Sequence, residues 1–339
     1  MIRNSKYNLI LTPLMIVILL LTCKESTEPE VIDNNDVIWT KHSTPVLEPG
    51  SSGSWEDKEV GTPSVLFDGS IYHMWYLGYD GEISCIGYAA SQDGITWAKY
   101  ESNPVLEVGS SGNWDNPWIY RQCVLLNDNT YHMWFSGYDG QIGCIGYATS
   151  QDGFTWTKYE SNPIIEKGLP NSWNQNGVDG PSVIFDGSIY HMWFNGWYGP
   201  NYFHIGYATS PDGIIWIAYE INPVLEIGLS GSWDYPRVEE PSVLYIDGIF
   251  HMWYSGGSSL WNWDIGYAKS NDGINWTKIS TDKPVLETGA SGDWDDFFVY
   301  SSSVLLDSTN STLKMWYVGG EEAWAGRIGY ATSPYQNPN

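Results

Sequence analysis

The chain of 339 residues carries one unit of about 60 residues five times. Each copy contains a Met-Trp pair inside an aromatic segment. The methionines of these pairs are Met74, Met133, Met192, Met252 and Met315. Self-similarity at a fixed period indicates one supersecondary unit that buries its apolar surface against its neighbours. The repeat therefore predicts a modular architecture, and it decides which residues belong to the scaffold.

Each unit holds four short segments rich in β-branched and aromatic residues. In the first unit these segments are residues 63–67, 71–77, 85–90 and 96–100. Asp-Gly pairs, which favour tight turns between strands, lie between several of them. No stretch of useful length with helical periodicity follows residue 23. Four strands per unit, repeated radially, are typical of a propeller. We therefore expect an all-β, five-bladed β-propeller with four antiparallel strands per blade.

The fifth unit lacks its fourth strand, and a matching segment lies near the start of the chain. Residues 37–48 (VIWTKHSTPVLE) match residues 95–107 of the first unit (ITWAKYESNPVLE). We expect this N-terminal strand to complete the fifth blade, because closing the ring removes exposed strand edges. The propeller should then span residues 37–335, and residues 336–339 should form a short tail.

The first 36 residues predict export. Arg3 and Lys6 precede an apolar run over residues 9–21, which is short for a membrane span of ~20 residues and typical of a signal peptide over residues 1–22. The segment LLTC resembles a bacterial lipobox, so Cys23 is expected to carry the lipid; a plain cleaved signal or an uncleaved anchor is the alternative. Polar residues 23–36 would be a flexible tether. We expect a membrane-anchored lipoprotein, periplasmic or on the cell surface.

The composition excludes one large class of partners. The chain has 15 Lys+Arg against 40 Asp+Glu, a formal net charge of -25. An acidic surface repels the phosphate backbone, so we expect no nucleic-acid partner. Four cysteines in this length cannot form a disulfide framework, and buried free thiols are expected in the propeller. We expect a monomer.

Candidate functional residues are those that break the repeat near the predicted axis. The recurring histidines and the S-x-D-G-x-x-W turns, which resemble the turn-stabilising Asp-boxes of sialidases, are assigned to the scaffold. The segments that lead into the first strand of each unit align without gaps: WEDKEVGTPSV, WDNPWIYRQCV, WNQNGVDGPSV, WDYPRVEEPSV and WDDFFVYSSSV. Residues i and i+2 of a strand share a face. Five inner strands should therefore bring a ring of variable side chains to the axis.

The residues of this ring and its adjoining loops fall into three chemical groups. The carboxylates are Glu59, Asp179, Glu239 and Glu240. The arginines are Arg121, Arg237 and Arg327. The aromatic rings and one imidazole are Trp118, Tyr120, Trp197, His204, Trp263 and Tyr300. Cleavage of a glycoside needs paired carboxyl groups, and aromatic rings pack on the apolar faces of sugars. These residues predict a site for an oligo- or polysaccharide in the axial cavity.

At these residues the chain resembles the five-bladed propeller superfamily of glycoside hydrolases. This superfamily includes families 43, 32 and 130, with arabinanases, levansucrases and invertases. The IGYATSxDGxxW and NPVLE segments carry the resemblance over roughly residues 37–335. Family 43 enzymes use three carboxylates from inner strands in an inverting mechanism. The resemblance implies that Glu239, in VEEP, is the general acid and that Asp179, in VDGP, orients it.

The resemblance departs from family 43 at the general base. Gly61 and Thr62 stand where that family has an aspartate, and Glu59 on the same strand face is the substitute. The VEEP segment also resembles the EDP segment of family 130 phosphorylases, with Glu240 in place of the aspartate. Hydrolysis, phosphorolysis and glycan binding without catalysis therefore stay open, with a protein-interaction propeller as a further alternative.

No cofactor is implied by these residues. A calcium ion on the axis would suit the carboxylates, since calcium prefers oxygen ligands. No ligand spacing in the sequence requires such an ion, so we assign no metal-binding residues.

Overall fold

We analysed a computed structural model of the protein, in which residues 38–199, 201–259, 262–279 and 281–335 are described. All regular secondary structure in these ranges consists of β-strands, which confirms the predicted all-β class. The described part holds no helix that is long and apolar enough to cross a membrane. The predicted signal peptide, the Cys23 lipidation site, the tether and the tail lie outside the described residues.

The strands form five groups of four. The first group comprises β2 (Glu59–Phe67), β3 (Tyr72–Tyr79), β4 (Ser84–Ser91) and β5 (Trp97–Lys99). The second comprises β6 (Trp118–Asn127), β7 (Thr130–Tyr138), β8 (Gly143–Ser150) and β9 (Thr157–Lys158). The third comprises β10 (Gly177–Phe185), β11 (Tyr190–Tyr198), β12 (Tyr202–Ser210) and β13 (Ile217–Ala218). The fourth comprises β14 (Arg237–Ile246), β15 (Ile249–Ser259), β16 (Asn262–Ser270) and β17 (Thr277–Lys278). The fifth comprises β18 (Phe298–Asp307), β19 (Thr312–Gly320), β20 (Arg327–Pro334) and β1 (Thr40–Lys41).

Within each group, consecutive strands pair antiparallel. The fifth group is completed from the other end of the chain, because Thr40 in β1 lies opposite Thr332 in β20. Neighbouring groups also touch through short parallel contacts, for example where Ser84 lies opposite Trp118. The first strand of each group, here called its inner strand, contacts the inner strands of two other groups.

A cycle of hydrogen bonds joins the five inner strands. In each strand one side chain accepts a hydrogen bond of 3.0 to 3.3 Å from a backbone N–H of the next inner strand. The acceptor–donor pairs are Ser64–Val124, Cys123–Val183, Ser182–Val243, Ser242–Val304 and Ser303–Val65. The last pair returns to the first group. The three cysteines within the described residues are free thiols, as predicted.

The core lies between groups and is built on the recurring tryptophans. Trp75, Trp134, Trp193, Trp253 and Trp316 are all fully buried. The Trp75 indole donates to the Gly153 carbonyl in the next group over 2.7 Å, and Trp316 does the same to Gly94. A buried indole needs such a partner for its N–H. In four of the five interfaces the tryptophan therefore fills the space and finds a carbonyl partner for its own N–H, whereas the Trp253 N–H has no partner among the described residues.

The other recurring polar residues also serve the scaffold. The imidazole of His73 bonds the Tyr88 hydroxyl over 2.7 Å, and the three equivalent histidines make the matching contact. In the Asp-box-like turns, as at Asp93, the carboxylate accepts hydrogen bonds from the backbone N–H groups of the two residues that follow the glycine. These contacts explain why the histidines and aspartates recur in the repeats, and they require no catalytic role for these residues.

A partly buried ion pair recurs in four groups and is absent from the third. A lysine on the outer strand binds the acid that follows the recurring Trp, over 2.5 to 2.7 Å. The pairs are Lys99–Glu56, Lys158–Asp115, Lys278–Asp234 and Lys41–Asp295. In the third group the matching positions hold Ala218 and Asn174. Loss of both charges together avoids a lone buried acid, which would be costly.

Candidate active site

Each inner strand carries a bulge at the same place. The bulged residues have left-handed φ values between 40° and 59° and are Thr62, Arg121, Gly180, Glu240 and Ser301. The sheet register shifts at this point in all five inner strands. Bulges re-aim side chains and are common beside active sites, and left-handed φ is unusual for residues other than glycine. All five bulged residues line one small cavity, so the inner strands converge here.

The bulge at Arg121 directs its guanidinium into a cluster of carboxylates. Nη1 donates to Asp179 Oδ2 over 2.8 Å, and Nη2 donates to Glu239 Oε2 over 3.0 Å. Arg121 also forms an ion pair with Glu240 Oε1. Asp179 and Glu239 are only 3% and 1% exposed. Because buried carboxylates are costly unless paired, Arg121 is the counter-ion that allows three acids to lie together.

Asp179 is held by two further hydrogen bonds. The Tyr120 hydroxyl donates to Oδ2 over 2.9 Å, and Asn195 Nδ2 donates to Oδ1 over 2.7 Å. Both carboxylate oxygens are therefore occupied by donors from three different side chains. Asp179 has a fixed position and orientation in this arrangement.

Sequence reasoning missed Asn195, which links two strands of the site. Its Oδ1 accepts a hydrogen bond from the Glu240 backbone N–H over 2.8 Å, while its Nδ2 holds Asp179. Ser136 and Ser255, at the equivalent positions, accept the matching backbone bond and donate over 3.3 to 3.4 Å to the Glu240 carboxylate or the Arg121 carbonyl. The comparison of repeats could have found Asn195, because no other unit has an amide there.

Glu239 keeps one oxygen that no hydrogen-bond donor reaches. This oxygen, Oε1, is buried and lies 3.7 Å from Arg237 Nη1. Burial raises the pKa of Glu239 to about 8; the charges of Arg121 and Arg237 oppose the shift, and those of Glu240 and Asp179 add to it. Burial thus favours the protonated form of this carboxyl group, whereas the two arginines favour its ionised form.

Arg237 is sandwiched between aromatic rings. Its guanidinium carbon lies 4.7 Å from the Phe203 ring centroid and 5.3 Å from that of Trp263. Nη2 donates to Asn201 Oδ1 over 3.0 Å. Burial lowers the pKa of Arg237, and the charge of Glu239 opposes this shift. Its aromatic neighbours stabilise the cation by stacking.

Glu59, at the start of β2, is the second carboxyl with a strongly raised pKa. Burial raises that pKa to about 7, the hydrogen bond from the Tyr300 hydroxyl opposes the shift, and the charge of Glu240 adds to it. The Tyr300 oxygen lies 3.2 Å from Glu59 Oε1. A carboxyl group that titrates near neutral pH suits proton transfer.

Two adjoining cavities open above these residues. The larger lobe has a volume of about 420 Å³, the smaller lobe about 330 Å³, and both are lined by Glu59, Arg121, Tyr300 and Trp324. The larger lobe adds Leu77, Tyr79, Ser84, Trp118, Tyr120 and Tyr138. The smaller lobe adds Arg237, Trp263 and Phe298. Aromatic walls with few polar groups at the floor are typical of small-molecule sites.

The structure brings most of the predicted site residues to these lobes. Seven line one lobe or both: Glu59, Trp118, Tyr120, Arg121, Arg237, Trp263 and Tyr300. Asp179 and Glu239 line neither lobe and lie beneath Arg121, while Glu240 lines the small cavity between the bulges. The resemblance did not indicate that an arginine would cover the two acids.

Three predicted sugar-binding residues line neither lobe. Trp197 stacks on Phe203 with ring centroids 5.3 Å apart, and the buried His204 stacks on Tyr198 at 5.8 Å. Arg327 forms an ion pair of 3.0 Å with the exposed Glu321. These contacts place the three side chains outside both lobes, and their role in sugar binding stays a prediction.

Among the described residues, no cluster of three or more His, Cys, Asp or Glu side chains could hold a metal ion. The carboxylates that an axial calcium would use are bonded to Arg121. Their donor set does not fit a calcium ion while the guanidinium is in place, so we derive no step through a metal.

No protein-family model matches the chain. An uncharacterized protein of Mycobacterium tuberculosis is 28% identical over 244 residues, which are 68% of this chain and 75% of that protein. The A type blood N-acetyl-alpha-D-galactosamine deacetylase of Flavonifractor plautii is 25% identical over 281 residues, 67% of this chain and 35% of that enzyme. The 1,2-beta-oligomannan phosphorylase of a Thermoanaerobacter species is 27% identical over 142 residues, 38% of this chain and 46% of that enzyme.

Solved structures match the chain over most of its length. One belongs to work on the GH130 family of mannoside phosphorylases, which contains glycoside hydrolases that target β-1,2 mannosidic linkages in Candida mannan. It aligns with a TM-score of 0.72 at 18% identity and covers 91% of this chain and 96% of that chain. The predicted resemblance to the glycoside hydrolase superfamily is thus confirmed at the level of the fold.

Proposed function

We propose that this protein is a carbohydrate-active enzyme that cleaves glycosidic bonds in the axial cavity of a five-bladed β-propeller. Five groups of four antiparallel strands support this architecture. The cycle of hydrogen bonds between inner strands and the completion of the fifth group by β1 support closure of the ring. Convergence of the five bulges supports an axis at the site.

One observation carries the functional proposal: Glu59 and Arg121 lie where two aromatic-walled lobes meet. A glycosidic bond placed at this junction would have one sugar in each lobe. Aromatic rings would bury the apolar faces of the sugars, and Arg121 would donate hydrogen bonds to their oxygens. The reacting bond would then lie against a carboxyl group that exchanges its proton near neutral pH.

Glycoside cleavage needs one carboxylic acid that is protonated and one carboxylate that is ionised. In our proposal Glu59 gives its proton to the glycosidic oxygen while the bond from that oxygen to C1 breaks. Phosphate, already an anion, adds to C1 from the other side; water in its place passes its proton to bulk solvent, since Glu59 is the only carboxyl group among the described residues that line the lobes. Asp179 and Glu239 hold Arg121 in position, and the acid role that the resemblance implies for Glu239 stays a prediction.

The best-supported substrate is an oligosaccharide with β-1,2 mannosidic linkages. A relative is named as a 1,2-beta-oligomannan phosphorylase, and work on the fold neighbour describes enzymes that target β-1,2 mannosidic linkages. The test is to incubate the protein with β-1,2-mannotriose, with and without inorganic phosphate. Free mannose without phosphate indicates hydrolysis, whereas mannose 1-phosphate that forms only with phosphate indicates phosphorolysis.

Two variants test which residue is the general acid. If Glu59 is the proton donor, Glu59→Gln should reduce cleavage at least 100-fold, since general acid catalysis contributes typically 10²–10⁴-fold. If Glu239→Gln alone abolishes cleavage, the role implied by the resemblance applies. Full activity in both variants would contradict the proposal. Release of acetate from an N-acetylgalactosaminide, without cleavage, would favour the chemistry of the deacetylase relative.

The alternative is a glycan-binding protein without catalysis. Gly61 and Thr62, in place of the family base, and the pairing of Asp179 and Glu239 with Arg121 favour this alternative. It requires that the wild-type protein binds the glycan, that no product forms, and that binding survives Glu59→Gln. Export as a lipoprotein would place either function outside the cytoplasm and is part of the proposal.

A further inference from the structure

The loop between β19 and β20 holds Trp324 in an unusual conformation. Its φ is 62°, and 64% of the residue is exposed. Trp324 also lines both lobes of the cavity. These three properties together do not fit a residue that only packs the loop.

Turn chemistry does not explain a tryptophan at this φ. The described residues with positive φ outside the axial bulges are, apart from glycines and Trp324, small and polar. They are Asp128, Asn129, Asn171, Asp247 and Ser311. Such residues tolerate the left-handed region because their side chains bond locally, whereas a bulky residue there is a genuine outlier. Strain of this kind persists at functional sites when another demand fixes the residue.

Burial does not explain the tryptophan either. A large aromatic side chain stabilises a protein by the area that it removes from water, and most of Trp324 remains exposed. The ring of Tyr79 lies nearby, with its centroid 6.4 Å away and its plane tilted by 47°. Trp324 keeps its 64% exposure with this contact in place.

The loop is fixed close to the reacting carboxyl. The Gly326 carbonyl accepts a hydrogen bond from the Val60 backbone N–H over 3.1 Å. A Cβ atom at Gly326 would lie 2.7 Å from Glu59 Oε1, so only glycine lets the loop approach this closely. The loop of the fifth group therefore holds Trp324 beside Glu59, which is part of the first group.

We infer that Trp324 is a sugar-binding residue that forms the common wall of two subsites on either side of Glu59. The ligand is then an oligosaccharide of at least two sugar units, with the apolar face of one unit against the indole. This inference rests on the proposed function and adds the subsite arrangement to it. A single sugar would occupy one lobe and use only part of this wall.

The test measures binding and stability in the same variants. Trp324→Gly and Trp324→Ala are made in the Glu59→Gln background, so that cleavage does not disturb calorimetry with β-1,2-mannotriose and with mannose. We expect the Kd for the trisaccharide to rise at least tenfold in both variants, and the Kd for mannose to change less. Tyr245→Ala, which removes another exposed aromatic residue outside both lobes, should leave both affinities unchanged.

Stability separates a binding role from a packing role. Trp324→Gly relieves the positive φ, so its Tm should equal or exceed that of the parent, and Trp324→Ala should be the less stable of the two. A Tm several degrees lower in Trp324→Gly with an unchanged trisaccharide Kd would overturn the inference. If the parent protein binds neither sugar, the proposed function itself fails for this substrate, and the inference fails with it.

Discussion

The Tyr300 hydroxyl donates a hydrogen bond to Glu59 Oε1 over 3.2 Å, although 241 residues separate the two in sequence. The bond joins β18 to β2, the inner strands of the fifth and first groups. Glu59 carries the only carboxyl group among the described residues that line both lobes, and this bond holds it in place. The candidate active site therefore depends on contact between the two ends of the repeat array.

Replacement of Glu59 by glutamine should change the pH dependence of stability. The pKa of Glu59 rises from 4.5 to about 7 on folding, so the folded state binds more protons between these values. The free energy of unfolding of the wild type should fall as pH rises through this window, while Glu59→Gln removes this loss. At pH 8 the variant should be more stable by up to about 3 kcal/mol.

Urea denaturation of both proteins at pH 4.5 and pH 8 checks this expectation. The difference between them should be small at pH 4.5, where Glu59 is protonated in the folded chain and half protonated in the unfolded chain. If the variant is as stable as the wild type at both pH values, Glu59 does not ionise between pH 4.5 and pH 8.

Replacement of Arg121 by methionine should destabilise the folded protein at neutral pH. Three buried carboxyl groups would lose their counter-ion, and breaking a buried pair costs about 3–5 kcal/mol. Acidification should recover part of the loss, because protonation removes the unpaired charges. Thermal unfolding at pH 5 and pH 7.5 measures both effects, with Arg327→Met as the control, since that arginine forms an exposed pair. Equal loss at both pH values would argue against charge as the cause.

Replacement of Asn195 by serine should keep the hydrogen bond to the Glu240 backbone and remove the one to Asp179. Serine keeps an acceptor for the Glu240 backbone N–H, as Ser136 and Ser255 do for their partners, but it lacks the amide N–H group that donates to Asp179 Oδ1. We expect kcat to fall about tenfold, because misplacement of a positioned catalytic group is costly, while KM changes little. Ser136→Ala, which loses the bond from the Gly180 backbone N–H and a 3.4 Å bond to the Arg121 carbonyl but no bond to a carboxylate, should retain most of the activity. Wild-type kcat in Asn195→Ser would show that this bond does not matter.

The third group should accept the ion pair that it lacks. Asn174→Asp alone places an unpaired acid at a position where the other repeats bury one, so it should destabilise the protein. Ala218→Lys alone should have little effect, and the double variant should restore the Lys–Asp pair of the other groups. A double-mutant cycle in urea should give a coupling energy of about 1–3 kcal/mol. Strict additivity would show that the third group has a different local geometry.

The sequence was sufficient to predict the strands and their grouping. Alternating patterns and Asp-Gly turns are local, so they determine where chains extend and reverse. Comparison of repeats also located Glu59 and Arg121, because a residue that breaks a structural pattern needs a separate reason. Asn195 breaks the pattern too, but it lies on β11, outside the segments that lead into the inner strands.

The comparison of repeats also selected residues that line neither lobe. His204, Trp197 and Arg327 break the pattern, and the structure places them in stacking contacts and a surface ion pair, so their role in sugar binding stays a prediction. A pattern break marks a local difference and does not say whether that difference faces a cavity or a neighbouring side chain.

By itself the sequence determined the repeated unit and its four strands. It also determined which charged and aromatic residues lie in the segments that lead into the five inner strands. Only the tertiary structure decided which of those charges meet. A strand bulge turns Arg121 onto Asp179 and Glu239, and a loop of the fifth group places Trp324 beside Glu59 of the first. Pairing of this kind depends on distances between residues far apart in sequence, and local propensity contains no information about such distances.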